Sequence, residues 1–332
     1  LREMLMRKIN GVPVEAHTDL SSLTGGEVLK WSGTNMAWED QDSTGYVPGP
    51  AWVGGRGIFG GDYNVTTIEY ITINTPSNTT SFGNLLSALE NKAGCSNGSR
   101  GVFGGGARTS DSNVIEYITI STTGNSTDFG DLTVTRRGLA SCTDATYGVW
   151  AGGTAPTTNV IDYVTIATTS NATDFGDLTQ ARANLGGLND ASRGVFGGGI
   201  TSSYQNTMDY ITVATTGNAT DFGDLSEVKG MVSGCSDATR GVWGNGYTGS
   251  ARTNVLEYIT IQTTGNGTDF GDLTQARYFA SSCSDGTYGV WAGGSATPGN
   301  TIDYITIQTL GNATDFGDTS AARAGQASFS GD

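Results

Sequence analysis

Val-Ile-Glu-Tyr-Ile-Thr-Ile occupies residues 114–120, and close variants of this heptapeptide return at a nearly constant interval along the chain. The repeated centre is an acidic residue followed by tyrosine, and successive tyrosines are 46 to 48 residues apart. The six copies are Glu69-Tyr70, Glu116-Tyr117, Asp162-Tyr163, Asp209-Tyr210, Glu257-Tyr258 and Asp303-Tyr304. A fixed period of this length predicts a propeller, solenoid or array, in which each unit buries its apolar surface by stacking on its neighbours.

One period contains four short strand signals separated by turn signals. In the fourth repeat they are 182–190, the glycine-rich 193–199, the β-branched and aromatic 207–213, and 220–225 after a Thr-Thr-Gly-Asn turn. The third strand of each repeat is apolar without clean alternation, which is typical of a sheet covered on both faces. The glycines of the second strand indicate close backbone approach near the axis. Four strands per period predict one propeller blade.

The two ends of the repeat region complement one another. Residues 322–332 look like a first strand with no second strand after it, whereas 56–61 look like a second strand without a full first strand before it. We therefore predict an all-β, six-bladed propeller closed by the C-terminal strand, with 322–332 in blade one. Closure would leave no blade unpaired. A seventh blade, built partly from residues before Trp52 or from sequence outside this chain, is the alternative.

Composition restricts the classes of partner. Glycine accounts for 51 of 332 residues, charged residues for only 15%, and the formal net charge is −15. Such an acidic body repels a phosphate backbone and an anionic membrane, so we expect neither nucleic acid as a partner nor membrane insertion. No run of 18 apolar residues suggests a spanning helix.

The four cysteines occupy one equivalent position in four repeats. Cys95, Cys142, Cys235 and Cys283 each precede an Arg-Gly or Tyr-Gly by five residues, and Leu188 and Phe329 fill the same position elsewhere. Equivalent positions of stacked blades are too far apart for a disulfide. We predict buried, reduced thiols that act as small apolar side chains, and no bound metal or cofactor.

Two polar motifs are consistent either with turn structure or with a functional site. Asp-Phe-Gly-Asp ends five repeats and invites a calcium site, but two carboxylates are few for an ion that takes six to eight oxygens, so we predict turn stabilisation instead. Asn-x-Ser/Thr occurs in every repeat, as at Asn171 and Asn218. We interpret these asparagines as turn residues.

The expected loops separate into a constant and a varied face. Two kinds of connection, first-to-second strand and third-to-fourth strand, have nearly the same sequence in every repeat. Second-to-third connections such as 107–113, 200–206 and 247–254 differ in every repeat. Variation on a repeated scaffold favours recognition on that face, although drift in unconstrained loops would look the same. Because tyrosine and arginine contribute most to contact energy, the candidate recognition residues are Tyr63, Arg108, Tyr204, Tyr247 and Arg252.

Residues 1–50 precede the propeller, which we place at 51–332. Within this segment, 27–31 and 36–39 predict a hairpin around Ser32-Gly33-Thr34-Asn35. An isolated hairpin is marginally stable in water, so its apolar residues Leu29, Trp31 and Trp38 need a packing partner. We predict attachment and homo-oligomerisation there, with a trimer as the working hypothesis.

The repeats resemble those of the kelch propeller family over about residues 54–332. The resemblance rests on arginine at the head of the first strand, Gly-Gly at the end of the second, as at Gly104-Gly105 and Gly197-Gly198, and tyrosine in the third. Asn245 interrupts the Gly-Gly pattern. A further departure is that phenylalanine replaces the family's tryptophan after the third strand, at Phe82, Phe129, Phe175, Phe222, Phe270 and Phe316.

Two enzyme classes related to such propellers are poorly matched. The copper oxidases of the kelch family need two histidines and a tyrosine cross-linked to cysteine, but this chain has one histidine, His17. Neuraminidase-like propellers need clustered arginines; Arg136, Arg182, Arg277 and Arg323 do recur at one position, yet Leu89 and Lys229 take that position in the other two repeats. We expect no catalytic residues.

The sequences of the repeats and of residues 26–40 are similar to sequences in structural and tail-fibre proteins of tailed bacteriophages. This resemblance implies a virion location and a non-enzymatic tail-fibre or capsid appendage. Its partners would be other virion proteins, bound through the N-terminal segment, and a host-surface glycan or protein. The alternative is a secreted or surface-attached microbial adhesion propeller.

Overall fold

The computed structural model describes residues 27–31, 36–40, 54–154, 156–190 and 192–332. The chain divides into two units, Leu1–Pro48 and Gly49–Asp332. The first contains an antiparallel pair, β1 (Glu27–Trp31) and β2 (Met36–Asp40), whose strands agree with the hairpin prediction. The turn at 32–35 lies outside the described residues.

The second unit is a ring of six four-stranded antiparallel sheets, which confirms the predicted six-bladed propeller. Within the described ranges all regular structure is β, and there is no helix long and apolar enough to cross a membrane. The strands are, in blade 1, β3 (Arg56–Asp62), β4 (Val65–Thr72), β5 (Thr80–Asn84) and β26 (Ala327–Gly331); in blade 2, β6 (Ala93–Ser96), β7 (Arg100–Gly104), β8 (Val114–Thr119) and β9 (Thr127–Asp131); in blade 3, β10 (Ala140–Thr143), β11 (Tyr147–Ala151), β12 (Val160–Thr165) and β13 (Thr173–Asp177); in blade 4, β14 (Gly186–Asn189), β15 (Arg193–Gly197), β16 (Thr207–Thr212) and β17 (Thr220–Asp224); in blade 5, β18 (Ser233–Ser236), β19 (Arg240–Gly244), β20 (Thr253–Thr260) and β21 (Thr268–Arg277); in blade 6, β22 (Ser281–Ser284), β23 (Tyr288–Ala292), β24 (Thr301–Thr306) and β25 (Thr314–Asp318).

The C-terminal strand closes the ring as predicted. β26 is the innermost strand of blade 1 and pairs antiparallel with β3, placing Phe329 opposite Ile58. The Ser330 hydroxyl donates to the Ser284 carbonyl of blade 6 at 2.5 Å, and the Ser96 hydroxyl of blade 2 donates to the Ser330 carbonyl at 2.5 Å. Blade 1 is therefore joined through its last strand to both neighbours.

The cores lie between blades, which explains why the third strands do not alternate. On β8, Ile115 packs in a cluster with Trp150 of blade 3, whereas Ile118 packs with Ile58 of blade 1. Both isoleucines are buried, on opposite faces of one sheet. Each blade thus gains most of its apolar burial only when both neighbours are present.

The cysteine position packs against a glycine of the next blade. A Cβ atom added to Gly148 would lie 2.8 Å from Sγ of Cys95, and one added to Gly57 would lie 2.7 Å from Sγ of Cys283. Gly101 has the same relation to Phe329. The four cysteines are buried and reduced, as predicted, and the glycine after the Arg/Tyr of each second strand makes room for them.

The Asp-Phe-Gly-Asp and Asn-x-Ser/Thr motifs form one inter-blade contact. The side-chain oxygen of Asn171 accepts from the Asp131 amide of the preceding blade at 3.1 Å, and Asn218 accepts from Asp177 in the same way. Gly130 has φ +145, and a Cβ there would collide with the Ser170 carbonyl. The motif therefore needs glycine for a left-handed backbone and for close approach, and the asparagines are the turn residues that were predicted.

Candidate functional site

The loop faces separate as the sequence predicts. Blade-to-blade links lie beside second-to-third connections: Ala183 bridges to Ile200, Gly230 bridges to Tyr247, and the Ser295 amide donates to the Tyr278 carbonyl at 2.7 Å. The loops on this surface differ in sequence from blade to blade, and we call this surface the varied face.

The predicted recognition residues fall into two groups on the varied face. Tyr63, which is 45% exposed, and the exposed Arg108 belong to blades 1 and 2, and Arg108 donates to the Asn64 side chain at 3.2 Å. Tyr204, Tyr247 and Arg252 belong to blades 4 and 5. The structure brings the second group together around two further aromatic residues.

Four aromatic rings from blades 4 and 5 and the link to blade 6 form a continuous cluster. The ring centroids of Tyr204 and Tyr247 are 5.8 Å apart, those of Tyr247 and Tyr278 5.4 Å, and those of Tyr278 and Phe279 5.5 Å. The exposed Arg252 guanidinium lies 5.7 Å from the Tyr278 centroid. We name Tyr204, Tyr247, Tyr278 and Phe279 the aromatic cluster; all four rings are partly exposed.

Sequence reasoning missed Tyr278 and Phe279, although a signal for them was present. Both follow Arg277 in a link between blades, and the other links carry different residues at the Tyr278 position. Those residues are Glu90, Arg137, Ala183, Gly230 and Ala324. Since the blade fold tolerates all of these, the propeller scaffold does not require an aromatic residue there.

A closed ring of backbone hydrogen bonds holds Phe279 in place. Six equivalent residues, one in each link, donate an amide to the carbonyl of the residue in the preceding link at 2.6–3.1 Å. They are Asn91, Gly138, Asn184, Met231, Phe279 and Gly325, all with φ between +56° and +71°. Glycine and asparagine suit this conformation, but Met231 and Phe279 are strained there. Backbone strain of this kind is often found at functional sites.

Burial affects the phenol of Tyr204. Desolvation raises the pKa of Tyr204, and the nearby Tyr247 and Tyr278 phenols add to the rise because a second phenolate would repel the first. The Tyr204 hydroxyl therefore remains protonated at neutral pH. The cluster offers aromatic surface together with hydroxyl donors and one guanidinium.

The innermost strands surround an axial cavity of about 170 Å³. Its wall includes the four cysteines and a belt of hydroxyl residues that connect adjacent blades. For example, the Ser284 hydroxyl donates to the Ser236 carbonyl at 2.6 Å, and Ser236 donates to Asn189 at 2.5 Å. These bonds pair wall hydroxyls with carbonyl groups of the neighbouring blade and so connect the blades.

The recurring arginines form buried ion pairs. The carboxylate comes from the acidic residue of the repeated Glu/Asp-Tyr. The cation comes from the link that precedes the same blade or, for Arg277, from the last residue of β21. The pairs are Arg136–Asp162, Arg182–Asp209, Lys229–Glu257, Arg277–Asp303, Arg323–Glu69 and Lys92–Glu116. Alignment of the repeats places Leu89 at the cation position of blade 2 and so does not identify the sixth cation. That cation is Lys92, which lies three residues after Leu89 and pairs with Glu116.

These pairs are almost completely shielded from water. The side chains of Arg182, Asp209, Lys229 and Glu257 have no exposed area. Burial lowers the pKa of Lys92, although the adjacent Glu116 opposes that change, and burial raises the pKa of Asp303, which Arg277 opposes. The arrangement anchors each link to its blade.

The described residues contain no group of three or more His, Cys, Asp or Glu side chains positioned to hold a metal ion. The first aspartate of each Asp-Phe-Gly-Asp is exposed on the outermost strand, and the amide of the second is used in the asparagine contact.

The predicted attachment residues lie in the hairpin of the first unit. The backbone register pairs Leu29 with Trp38 and Trp31 with Met36. Their side chains lie outside the described part of the structure, so the predicted packing and trimer stay predictions.

Neither a protein-family model nor a curated protein sequence matches this chain. The six-bladed propeller is therefore established from its own coordinates.

Proposed function

We propose that this chain is a non-enzymatic structural protein of a tailed-bacteriophage particle, a tail fibre or capsid appendage, that presents a kelch-type propeller for host-surface recognition. The first unit attaches it to other virion proteins and oligomerises it as a trimer. The varied face contacts a host-surface glycan or protein. The protein binds no nucleic acid and does not insert into a membrane.

The aromatic cluster is the observation that carries the recognition role. Tyr278 and Phe279 occupy positions that hold no aromatic residue in the other links, whereas Tyr247 shares its position with Tyr63 of blade 1. Arg252 adds an exposed cation to a protein of net charge −15. Partly exposed tyrosines together with arginine are the residue types that dominate binding energy at interfaces.

The assignment to a phage particle rests on sequence. The repeated Tyr-Ile-Thr-Ile and Asp-Phe-Gly-Asp text, together with the hairpin at 27–40, is similar to phage structural proteins. The kelch assignment rests on the Gly-Gly and tyrosine positions.

Two measurements test this proposal. Mass spectrometry of purified particles should detect the chain; finding it only on microbial cells or in culture medium would favour the adhesion-propeller alternative. Particles with Tyr204→Ala and Tyr247→Ala should then adsorb to host cells at least about tenfold more slowly, because two binding residues of this kind contribute about 1–2 kcal/mol each or more.

The matched control is Thr168→Ala with Thr216→Ala, two exposed residues of third-to-fourth connections on the opposite face. We expect normal adsorption for this pair. Equal adsorption by both double variants would overturn the assignment of recognition to the aromatic cluster.

A further inference from the structure

The aromatic cluster is a row of rings that begins in a loop of blade 4 and ends beside the propeller axis. Ring contacts join its members in one order, from Tyr204 through Tyr247 and Tyr278 to Phe279, and neighbouring rings are tilted by 52–59° instead of stacked. Phe279 also lines the axial cavity. A row of partly exposed rings suits a chain-like ligand, because successive units of a chain can each contact one ring.

The backbone at the cluster offers few hydrogen bonds to a bound peptide. The Tyr247 and Gly230 backbones exchange two hydrogen bonds at 2.9 and 3.0 Å. The Tyr278 carbonyl accepts from the Ser295 amide at 2.7 Å, and both backbone groups of Phe279 take part in the ring of hydrogen bonds between links. Extended peptides are commonly held by main-chain hydrogen bonds. Because these backbone groups are already paired, the cluster favours a ligand that binds through side chains.

The side chains of the cluster have polar groups available for such a ligand. Within the described ranges, no hydrogen bond or ion pair uses the hydroxyls of Tyr204, Tyr247 and Tyr278 or the guanidinium of Arg252. A phenol donates and accepts, and a guanidinium has five N–H donors. A sugar has hydroxyl groups at its edge that match these groups. Its C–H faces match the rings, because the face of an aromatic ring is electronegative.

Charge restricts the kind of sugar. Arg252 supplies one positive charge beside Tyr278, whereas the chain as a whole carries a formal net charge of −15. A polyanionic chain would gain one ion pair and would be repelled by the acidic body. An uncharged chain avoids that repulsion and still accepts hydrogen bonds from the guanidinium.

We infer that the aromatic cluster binds an uncharged polysaccharide of the host surface, an inference that rests on the proposed recognition role. The polysaccharide lies along the row from Tyr204 to Phe279, with its sugar faces against the rings. Its hydroxyl groups exchange hydrogen bonds with the three phenols and with Arg252. The end of the row at Phe279 lies at the edge of the axial cavity.

The first test separates the classes of receptor. The full chain, labelled with a fluorophore, is added to host cells treated either with periodate, which cleaves the vicinal diols of sugars, or with protease. Periodate should abolish binding and protease should leave it unchanged. Binding that survives periodate or is lost after protease overturns the inference but leaves the recognition role intact. Absence of binding to untreated host cells overturns both.

The second test uses polysaccharide extracted from the same cells and separated by anion exchange into an unretained, uncharged fraction and a retained, anionic one. The chain should bind the unretained fraction. Raising the salt from about 0.05 to about 0.5 M should change the apparent Kd by less than about twofold, because salt screens charge interactions. Binding confined to the retained fraction overturns the inference.

A double variant tests the site itself. Tyr278→Ala with Phe279→Gly gives the link into blade 6 the pair Ala324-Gly325 of another link, and it removes the strained φ of +59° at Phe279. The apparent Kd for the unretained fraction should rise at least about tenfold. The control is Glu90→Ala with Asn91→Gly, which creates the same pair in the link into blade 2 and should keep the wild-type Kd. Equal Kd values for the two double variants overturn the inference.

Discussion

Lys92 forms a buried ion pair with Glu116, although it stands three residues after Leu89, the position that is equivalent to Arg136. The link into blade 2 therefore keeps its anchor with a shorter cation supplied from a different position. Lysine is paired with glutamate here and at Lys229–Glu257, whereas three of the four arginines are paired with aspartate. The summed length of the two side chains is therefore the same in five of the six pairs, and Arg323–Glu69 is longer by one methylene.

Removing this cation should be costly. Lys92→Met leaves the Glu116 carboxylate buried without a charge partner, which typically costs about 3–5 kcal/mol of unfolding free energy. Chemical denaturation measures the change, and Leu89→Arg added to Lys92→Met should recover part of the loss. Arg137→Met, which breaks the exposed pair with Asp111, is the control and should cost under about 1 kcal/mol. Equal losses in the two single variants would contradict the anchoring role.

The glycine opposite each cysteine position should tolerate no side chain unless the neighbour shrinks. Gly148→Ala places a Cβ 2.8 Å from the Cys95 sulfur, and overpacking of this kind costs about 1–3 kcal/mol. In the double variant with Cys95→Ala, the loss of unfolding free energy should be smaller than the sum of the losses in the two single variants. Gly265→Ala has open space around the new Cβ and should change stability by less than about 0.5 kcal/mol. Simple additivity of Gly148→Ala and Cys95→Ala would mean that the two residues do not constrain one another.

Ring closure should depend on the last strand. Phe329 packs on Phe103 of blade 2 with ring centroids 4.7 Å apart and is 5% exposed. Phe329→Ala should therefore lower the unfolding free energy by about 3–5 kcal/mol. Ending the chain at Gln326 removes β26 altogether, exposes the edge of β3, and should cause aggregation on purification. A truncated chain that remains monodisperse with an unchanged melting temperature would show that closure contributes little.

The thiols should be inert in the folded protein. Burial raises the pKa of Cys95 and of the other three cysteines well above the usual value of 9.0. A thiol reagent at pH 8 should label none of the four in the native state and all four in denaturant. Because the folded pKa is raised, this contribution to stability is complete below about pH 9 and is lost as the pH rises beyond it. Rapid labelling of native protein would contradict the packing of these side chains.

The repeat in the chain is sufficient to predict most of the fold. The repeated sequence predicts the strand order, the number of blades, the closure by 322–332 and the two loop faces, because each of the six repeats packs on its neighbours in the same way. The hairpin strands at 27–31 and 36–39 follow from local pattern as well. Lys92 was missed because alignment compares positions, whereas an ion pair requires only that a charged end reaches its partner.

The candidate site was predicted only in part for a related reason. Tyr204, Tyr247 and Arg252 were visible as unusual residues in varied loops, but nothing local places Tyr278 beside them. That contact arises because the link into blade 6 runs next to the second-to-third connection of blade 5. The internal comparison of links contains the signal, since Tyr278 and Phe279 have no aromatic counterpart in the others.

The sequence alone was sufficient to predict the closed propeller. The glycines, the residues at the cysteine position and the acidic residues recur with the period of one blade, and each occupies one equivalent position in the fold. Tertiary structure was needed wherever residues of different repeats meet once rather than six times. The aromatic cluster and the Lys92 anchor are such cases. Their geometry depends on how the closed ring brings separate loops and links into contact, and no periodic pattern encodes those distances.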